Sequence, residues 1–186
     1  SRSTLLLAPL LALVVVSLPL HALEFECKLA ENVVYYQGAD YELKLDIAYP
    51  IEGNQPFPAL LYIFGGGWGY FFESRLQYGT AIRLAATKGY VAAAIDYRLT
   101  SERQGNRPKW QFPDQVHDVK NAVRWLRSNA GEYRIDPDRI GVVGWSSGAN
   151  LALMAGLTDV RDGLEGPVGK EAPSSRVSAI VSIGGP

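Results

Sequence analysis

Five consecutive residues, Gly144-Trp145-Ser146-Ser147-Gly148, form a Gly-x-Ser-x-Gly run between an apolar stretch at 139–144 and an alanine- and leucine-rich stretch at 147–157. A serine hydroxyl is a weak nucleophile until a base can reach it. A strand that turns sharply into a helix exposes the serine at the turn, and the unpaired amides and positive dipole end of the helix point at developing negative charge. Only glycines at the flanks let the two backbones pass so closely. Ser146 is therefore the candidate nucleophile and the Ser147 amide a candidate oxyanion donor. The chemistry this pattern suits is attack on an acyl carbon.

A second run, Phe64-Gly65-Gly66-Gly67-Trp68, closes another apolar stretch. Three glycines in a row waste conformational entropy unless the backbone must approach something closely. The amides of Gly66 and Gly67 are the natural partners of Ser147 around an oxyanion, where loss of one donor typically costs about a hundred- to thousand-fold in rate. The rival reading is a phosphate cradle. That reading needs Lys-Ser or Lys-Thr after the glycines, whereas Trp68, Gly69, Tyr70, Phe71 and Phe72 follow here. Those aromatics suit a pocket wall or plain packing equally well.

The elements that must position these residues are legible from hydrophobic periodicity. Residues 33–37 and 41–49 are β-rich, separated by Gly38-Ala39-Asp40, and read as an antiparallel hairpin at a sheet edge. Residues 59–64 are continuously apolar, as a strand buried on both faces should be. A helix over 75–88 with Gly89 as its stop precedes a second buried strand at 90–96. Val116, Val119, Val123, Leu126 and Ala130 recur at helical steps and predict a helix over 113–130. The segment Ile135-Asp136-Pro137-Asp138 reads as a turn, 139–144 as a third buried strand, 147–157 as a helix and 177–183 as a fourth strand. Strands alternating with helices predict an α/β fold, with a mostly parallel sheet covered by helices on both faces.

Composition narrows the partner. The 186 residues are 47% apolar and 20% charged, an ordinary globular make-up, and 18 basic side chains balance 19 acidic ones. Such a balance gives no broad field to gather nucleic acid or an anionic membrane. A small-molecule substrate is expected, with no nucleic acid, and oligomeric state is not readable. Cys27 is the only cysteine, which excludes an internal disulfide framework and a paired-cysteine metal or redox site. Residues 1–22 carry an apolar run at 5–20, shorter than a membrane span and broken by Pro9 and Pro19. They read as a removable signal peptide rather than an anchor, so 23–186 is expected to be the folded domain of a secreted or periplasmic protein.

Taken in order, the glycine loop, Asp96-Tyr97-Arg98-Leu99, the Asp118-Val119-Lys120 to Arg124-Trp125-Leu126 helix, Ile135-Asp136-Pro137-Asp138-Arg139-Ile140 and Gly144-Trp145-Ser146-Ser147-Gly148-Ala149-Asn150-Leu151-Ala152 resemble the α/β-hydrolase superfamily. The likeness runs over about 32–186 and is strongest to secreted carboxylesterases of the hormone-sensitive-lipase-like and feruloyl- or acetylxylan-esterase-like groups. It implies serine-dependent hydrolysis of carboxylic esters, small-molecule or carbohydrate-linked, through an acyl-enzyme, Ser146 as nucleophile, an oxyanion hole of Gly66, Gly67 and Ser147, and neither metal nor organic cofactor. The family pattern places a loop-bracing histidine where this chain has Phe64.

The family order is Ser, then Asp or Glu, then His, and no histidine follows Ser146. His21 lies in the leader, His117 on the helix ahead of the nucleophile, and Asp159 and Asp162 come too soon after Ser146 to be the triad acid. The expectation is an α/β-hydrolase domain without its C-terminal strands, inactive on its own. An amidase or peptidase of the same fold, or a non-catalytic relative, are the alternatives.

Overall fold

The computed structural model describes residues 24–69, 73–169 and 171–185. The expected signal peptide, and Tyr70, Phe71 and Phe72 of the glycine loop, lie outside them. In chain order the elements are β1 (Cys27–Gln37), β2 (Glu42–Pro50), β3 (Phe57–Ile63), a 3-10 turn (Arg75–Tyr78) running into α1 (Gly79–Thr87), and β4 (Val91–Ile95). There follow a two-rung hairpin of β5 (Arg103–Gln104) and β6 (Arg107–Pro108), then α2 (Asp114–Ser128), α3 (Ala130–Tyr133), β7 (Ile135–Trp145), α4 (Ser147–Leu157) and β8 (Ala179–Ile183).

Six strands form one sheet in the order β1-β2-β4-β3-β7-β8. β1 and β2 pair antiparallel with each other, and β2 antiparallel with β4, whereas β4, β3, β7 and β8 run parallel. The edge hairpin and the parallel sheet are as expected. Period-2 alternation divides β4 cleanly: Val91, Ala93 and Ile95 enter the core shared with Val116, Val119 and Val123 of α2 and Leu151 and Ala152 of α4, while Ala92 and Ala94 pack with Ile82 and Ala86 of α1. α2 and α4 therefore cover one face and α1 the other. Among the described residues no helix is long and apolar enough to cross a membrane.

Three local expectations are corrected. The 135–138 turn lies inside β7: Ile135 pairs with Phe57 and Ile140 with Ala59, so the ladder resumes after a wide irregularity in which Asp136 accepts from the Asp138 amide at 3.0 Å. The helix expected over 113–130 ends at Ser128, and a separate turn, α3, stops at Arg134 in the left-handed region with φ 61°. The strand expected at 177–183 begins at Ala179 and is largely exposed, because it lies at the end of the described sheet with β7 as its neighbour.

Candidate active site

β3 and β7 are adjacent and parallel, with Ile63 opposite Gly144. Their continuations, the glycine loop and the Ser146 turn, therefore leave the sheet side by side at the C-terminal edge of the strands, where open α/β sheets place their sites. Contact is close: a Cβ built on Gly65 would lie 2.9 Å from the Trp145 carbonyl oxygen and 3.1 Å from Ser146 Cβ. The structure thus sets the first glycine of the loop, Gly65, which leads into Gly66 and Gly67, against the turn that carries Ser146 and leads into Ser147.

Ser146 adopts φ 53°, ψ −119°, outside the ordinary left-handed basin. Such a residue stores on the order of 1–3 kcal/mol and persists only where its surroundings enforce it. Here the Ser146 amide donates to the Ile183 carbonyl of β8 at 2.9 Å, while the Ser146 carbonyl accepts from Ala149 at 2.9 Å and Asn150 at 3.2 Å. The flanking glycines are required by space. A Cβ on Gly144 would be 2.1 Å from the Gly148 oxygen, and one on Gly148 2.3 Å from the Ile63 oxygen and 2.4 Å from that of Phe64. Ser147 is the first residue of α4, so its amide has no carbonyl to bond within the helix.

The glycine loop is held from below and from the side. Gly66 and Gly67 take φ of 95° and 59°, a region open to glycine. The Tyr97 hydroxyl donates to the carbonyl oxygens of Phe64 and Gly65 at 3.2 and 3.1 Å, and the Phe64 and Tyr97 rings stack at 4.3 Å. Phe64 is buried, so the position where the family pattern has histidine is filled by an aromatic pair. Burial pushes the Tyr97 hydroxyl well above its ordinary value, against a smaller opposing effect of the adjacent Ser147 hydroxyl, so it stays a neutral donor. Further along, the Thr100 amide donates to the Trp68 carbonyl at 2.8 Å and the Gly69 amide to Gly66 at 3.2 Å. A carboxylate oxygen of Glu73 would meet a Gly65 Cβ at 2.7 Å, which puts a negative charge beside the loop.

Sequence reasoning passed over Tyr97 and Arg98 as bearers of the site. The only signal was the Asp96-Tyr97-Arg98-Leu99 stretch at the end of a buried strand. Arg98 is the reason that stretch meets α2: its Nη2 donates to Asp118 at 2.6 Å, its Nη1 to Asp114 at 3.0 Å, and its backbone amide to Asp118 at 2.9 Å. The guanidinium also lies over Tyr41 and Trp110 at 4.9 and 5.1 Å.

His117 sits on α2 with its ring against Gly166, 3.0 Å from a Cβ built there. Its Nε2 is buried without a hydrogen-bond partner among the described residues, and burial, helped by the Arg98 charge, holds its pKa below the ordinary value. Asp159 and Asp162 cap a 3-10 turn, Asp159 accepting from the Arg161 amide at 2.8 Å and Asp162 from the Asp159 amide at 2.7 Å. They are turn residues, as expected.

A family model described as BD-FAE matches residues 45–186. Esterase LipC of Mycobacterium tuberculosis is 35% identical over 134 residues, which is 71% of this chain and 30% of LipC. Arylacetamide deacetylase of Bos taurus is 40% identical over 130 residues, 66% of this chain and 30% of that protein. Among solved structures, the thermophilic esterase Est2 of Thermogutta terrifontis superposes with a TM-score of 0.67 at 30% identity, over 86% of this chain and 52% of Est2. The same esterase is known with butyrate bound and phosphorylated by paraoxon. The fold is that of the α/β-hydrolases, and the chain spans about half of Est2 and under a third of these two curated relatives.

Proposed function

We propose that this chain, which belongs to the BD-FAE family, carries the nucleophile and oxyanion hole of a serine carboxylic-ester hydrolase that works through an acyl-enzyme. The observation that carries the reading is Ser146 held at φ 53°, ψ −119° against the glycine loop at the C-terminal edge of the parallel strands. In this mechanism Ser146 Oγ attacks the ester carbonyl carbon and the carbonyl oxygen takes the negative charge. The amides of Gly66, Gly67 and Ser147 receive that oxyanion, and they need no reorganisation because Tyr97 and Thr100 already pin the loop. Collapse of the tetrahedral intermediate expels the alcohol, and water later releases the acid.

The serine proton needs a base. His117 does not serve, since its ring is packed against Gly166. The base and its orienting carboxylate come from beyond residues 24–185, in keeping with the greater length of the esterases that this chain resembles. The bound butyrate and propionate of Est2 favour a short acyl group. Export is part of the proposal, on the apolar run at 5–20. A second reading, amide hydrolysis, is favoured by the relative named arylacetamide deacetylase. Acetanilide and phenyl acetate compared side by side separate the two.

The test is Ser146→Ala in the full-length protein, assayed with p-nitrophenyl butyrate. Loss of turnover on the order of a million-fold, the cost of removing a nucleophile that acts as a unit with its base, is expected. Turnover surviving within tenfold would refute the assignment.

A further inference from the structure

The end of α4 and the segment leading into β8 enclose a cleft of about 700 Å³, within the range of about 300–1,000 Å³ usual for small-molecule sites. It lies well away from the nucleophile. From Ser147, α4 carries the chain back along the sheet for 11 residues, about 16 Å. The chain re-enters the sheet where the Ser178 amide donates to the Ile140 carbonyl at 2.8 Å and Ala179 pairs with Gly141. Asp159, Val160 and Arg161 after α4, and Ser174, Ser175 and Arg176 before β8, line the cleft. It therefore lies toward the N-terminal edge of the parallel strands, whereas Ser146 lies at the C-terminal edge.

The two sides are fastened to one helix and to each other. Arg127 of α2 donates to the carbonyls of Ser174 and Arg176, the latter at 2.9 Å. Arg124 of α2 donates to the Glu165 carbonyl at 3.1 Å and pairs with its carboxylate, to which the Ser175 hydroxyl donates at 2.7 Å. Walls held in this way lose little freedom when a ligand settles between them.

The charges do not balance. Both carboxylate oxygens of Glu165 are taken, Oε1 by the fully buried Lys120 and Oε2 by Arg124 and Ser175, so two buried cations share one anion. Arg161 uses Nε and Nη2 on Asp159 and leaves Nη1 unengaged. The charge of Arg176 reaches the Asp159 carboxylate, but its guanidinium has no hydrogen-bond partner among the described residues. Lys120, Arg124, Arg161 and Arg176 thus stand against Asp159 and Glu165 alone in and beneath the lining. The Ser174 hydroxyl accepts from the Arg176 amide at 3.2 Å and keeps its own proton to donate. Val160, Val168, Ala172 and Pro173 give the cleft an apolar wall as well.

We infer that this cleft binds an organic carboxylate with an apolar body, an aryl or branched alkyl acid, whose carboxylate is received by Arg176, Arg161 and Ser174. Guanidinium groups match a carboxylate in shape as well as in charge. A free phosphate would satisfy the cations but leave the apolar wall in water. Acids released by ester hydrolysis fall in the same class, yet occupation of the cleft does not depend on Ser146 being the nucleophile.

The experiment is calorimetric titration of the full-length protein with 4-tert-butylbenzoate, its neutral isostere 4-tert-butylbenzamide, and inorganic phosphate. The acid should bind once per chain with Kd on the order of 1 mM or tighter. In Arg161→Gln/Arg176→Gln, at two exposed positions, the affinity should fall about tenfold or more, the worth of a charge-assisted hydrogen bond. Protein carrying a diethylphosphoryl group on Ser146 after paraoxon treatment should bind the acid as tightly as untreated protein. No saturable binding below about 10 mM, the amide or phosphate binding as tightly as the acid, unchanged affinity in the double variant, or loss of binding on modification of Ser146 would each overturn the site. Should paraoxon leave Ser146 unmodified, the esterase reading fails and the arginine variant still decides the cleft.

Discussion

The Phe64 and Tyr97 rings stack 4.3 Å apart at an interplanar angle of 20°, and the Tyr97 hydroxyl reaches past that stack to the carbonyls of Phe64 and Gly65. One side chain from the end of β4 thus fixes both the ring and the backbone that open the glycine loop. Tyr97→Phe keeps the stack and orphans two buried carbonyls. It should cost about 1–3 kcal/mol of stability, read by urea unfolding. In the full-length enzyme kcat should fall more than KM rises, because the loop amides act on the oxyanion and not on the ground-state ester.

Gly148 has no room for a side chain, since its Cβ would sit 2.3 and 2.4 Å from two backbone oxygens of the neighbouring strand end. Backbone cannot yield as a flexible side chain can. Gly148→Ala should therefore cost about 3 kcal/mol or more, at or above the top of the usual overpacking range. A drop in thermal midpoint, together with loss of ester turnover, checks it.

Beneath α4, Lys120 is fully buried and donates to Glu165 at 2.7 Å and to the Thr158 carbonyl at 3.0 Å. Arg124 pairs with the same carboxylate, and the Ser175 hydroxyl donates to it at 2.7 Å. Glu165→Leu strands two cations and should cost about 3–5 kcal/mol, whereas Lys120→Met leaves Glu165 paired with Arg124 and should cost less. Burial pushes the Glu165 carboxyl up, but hydrogen bonds from Lys120 and Ser175 and the charges of Lys120 and Arg124 hold it below its ordinary value of 4.5. The unfolded chain then binds the proton first, so this contribution is present above pH 4.5 and is lost as pH falls through the lower folded value. Unfolding of both variants at neutral and acid pH measures it.

His117 gives a separate pH signature. Burial and the charges of Arg98 and Arg124 favour the neutral ring, against Asp114 and Glu165, so its folded pKa lies below the ordinary 6.5. The unfolded state takes up the proton at higher pH than the folded one, and stability should fall as pH drops through 6.5 toward the folded value. His117→Gln should flatten the thermal midpoint over that window. An equally steep profile in the variant would count against this account.

How far the sequence reached depended on whether a feature was local. Ser146 and its glycines were readable because the geometry of a strand–turn–helix is encoded in adjacent residues, and α4 spans the 147–157 expected. The strands of the parallel sheet were readable because Ala59, Leu61 and Ile63 of β3 and the whole of β4 are buried. Less visible was whatever depends on a partner distant in sequence. Asp136-Pro137-Asp138 carries turn chemistry, yet pairing with β3 absorbs it into β7. The bracing of the loop by Tyr97 spans 33 residues, and nothing in its own stretch marks it.

The central claim is that Ser146 is the atom donor to the acyl-enzyme. Treating the full-length protein with paraoxon, digesting it and locating the adduct by mass spectrometry tests that most directly. The account predicts one diethylphosphoryl group per chain, on the peptide holding Ser146, appearing in step with the loss of ester hydrolysis. An adduct on any other residue, or hydrolysis continuing in protein fully modified at Ser146, would contradict it.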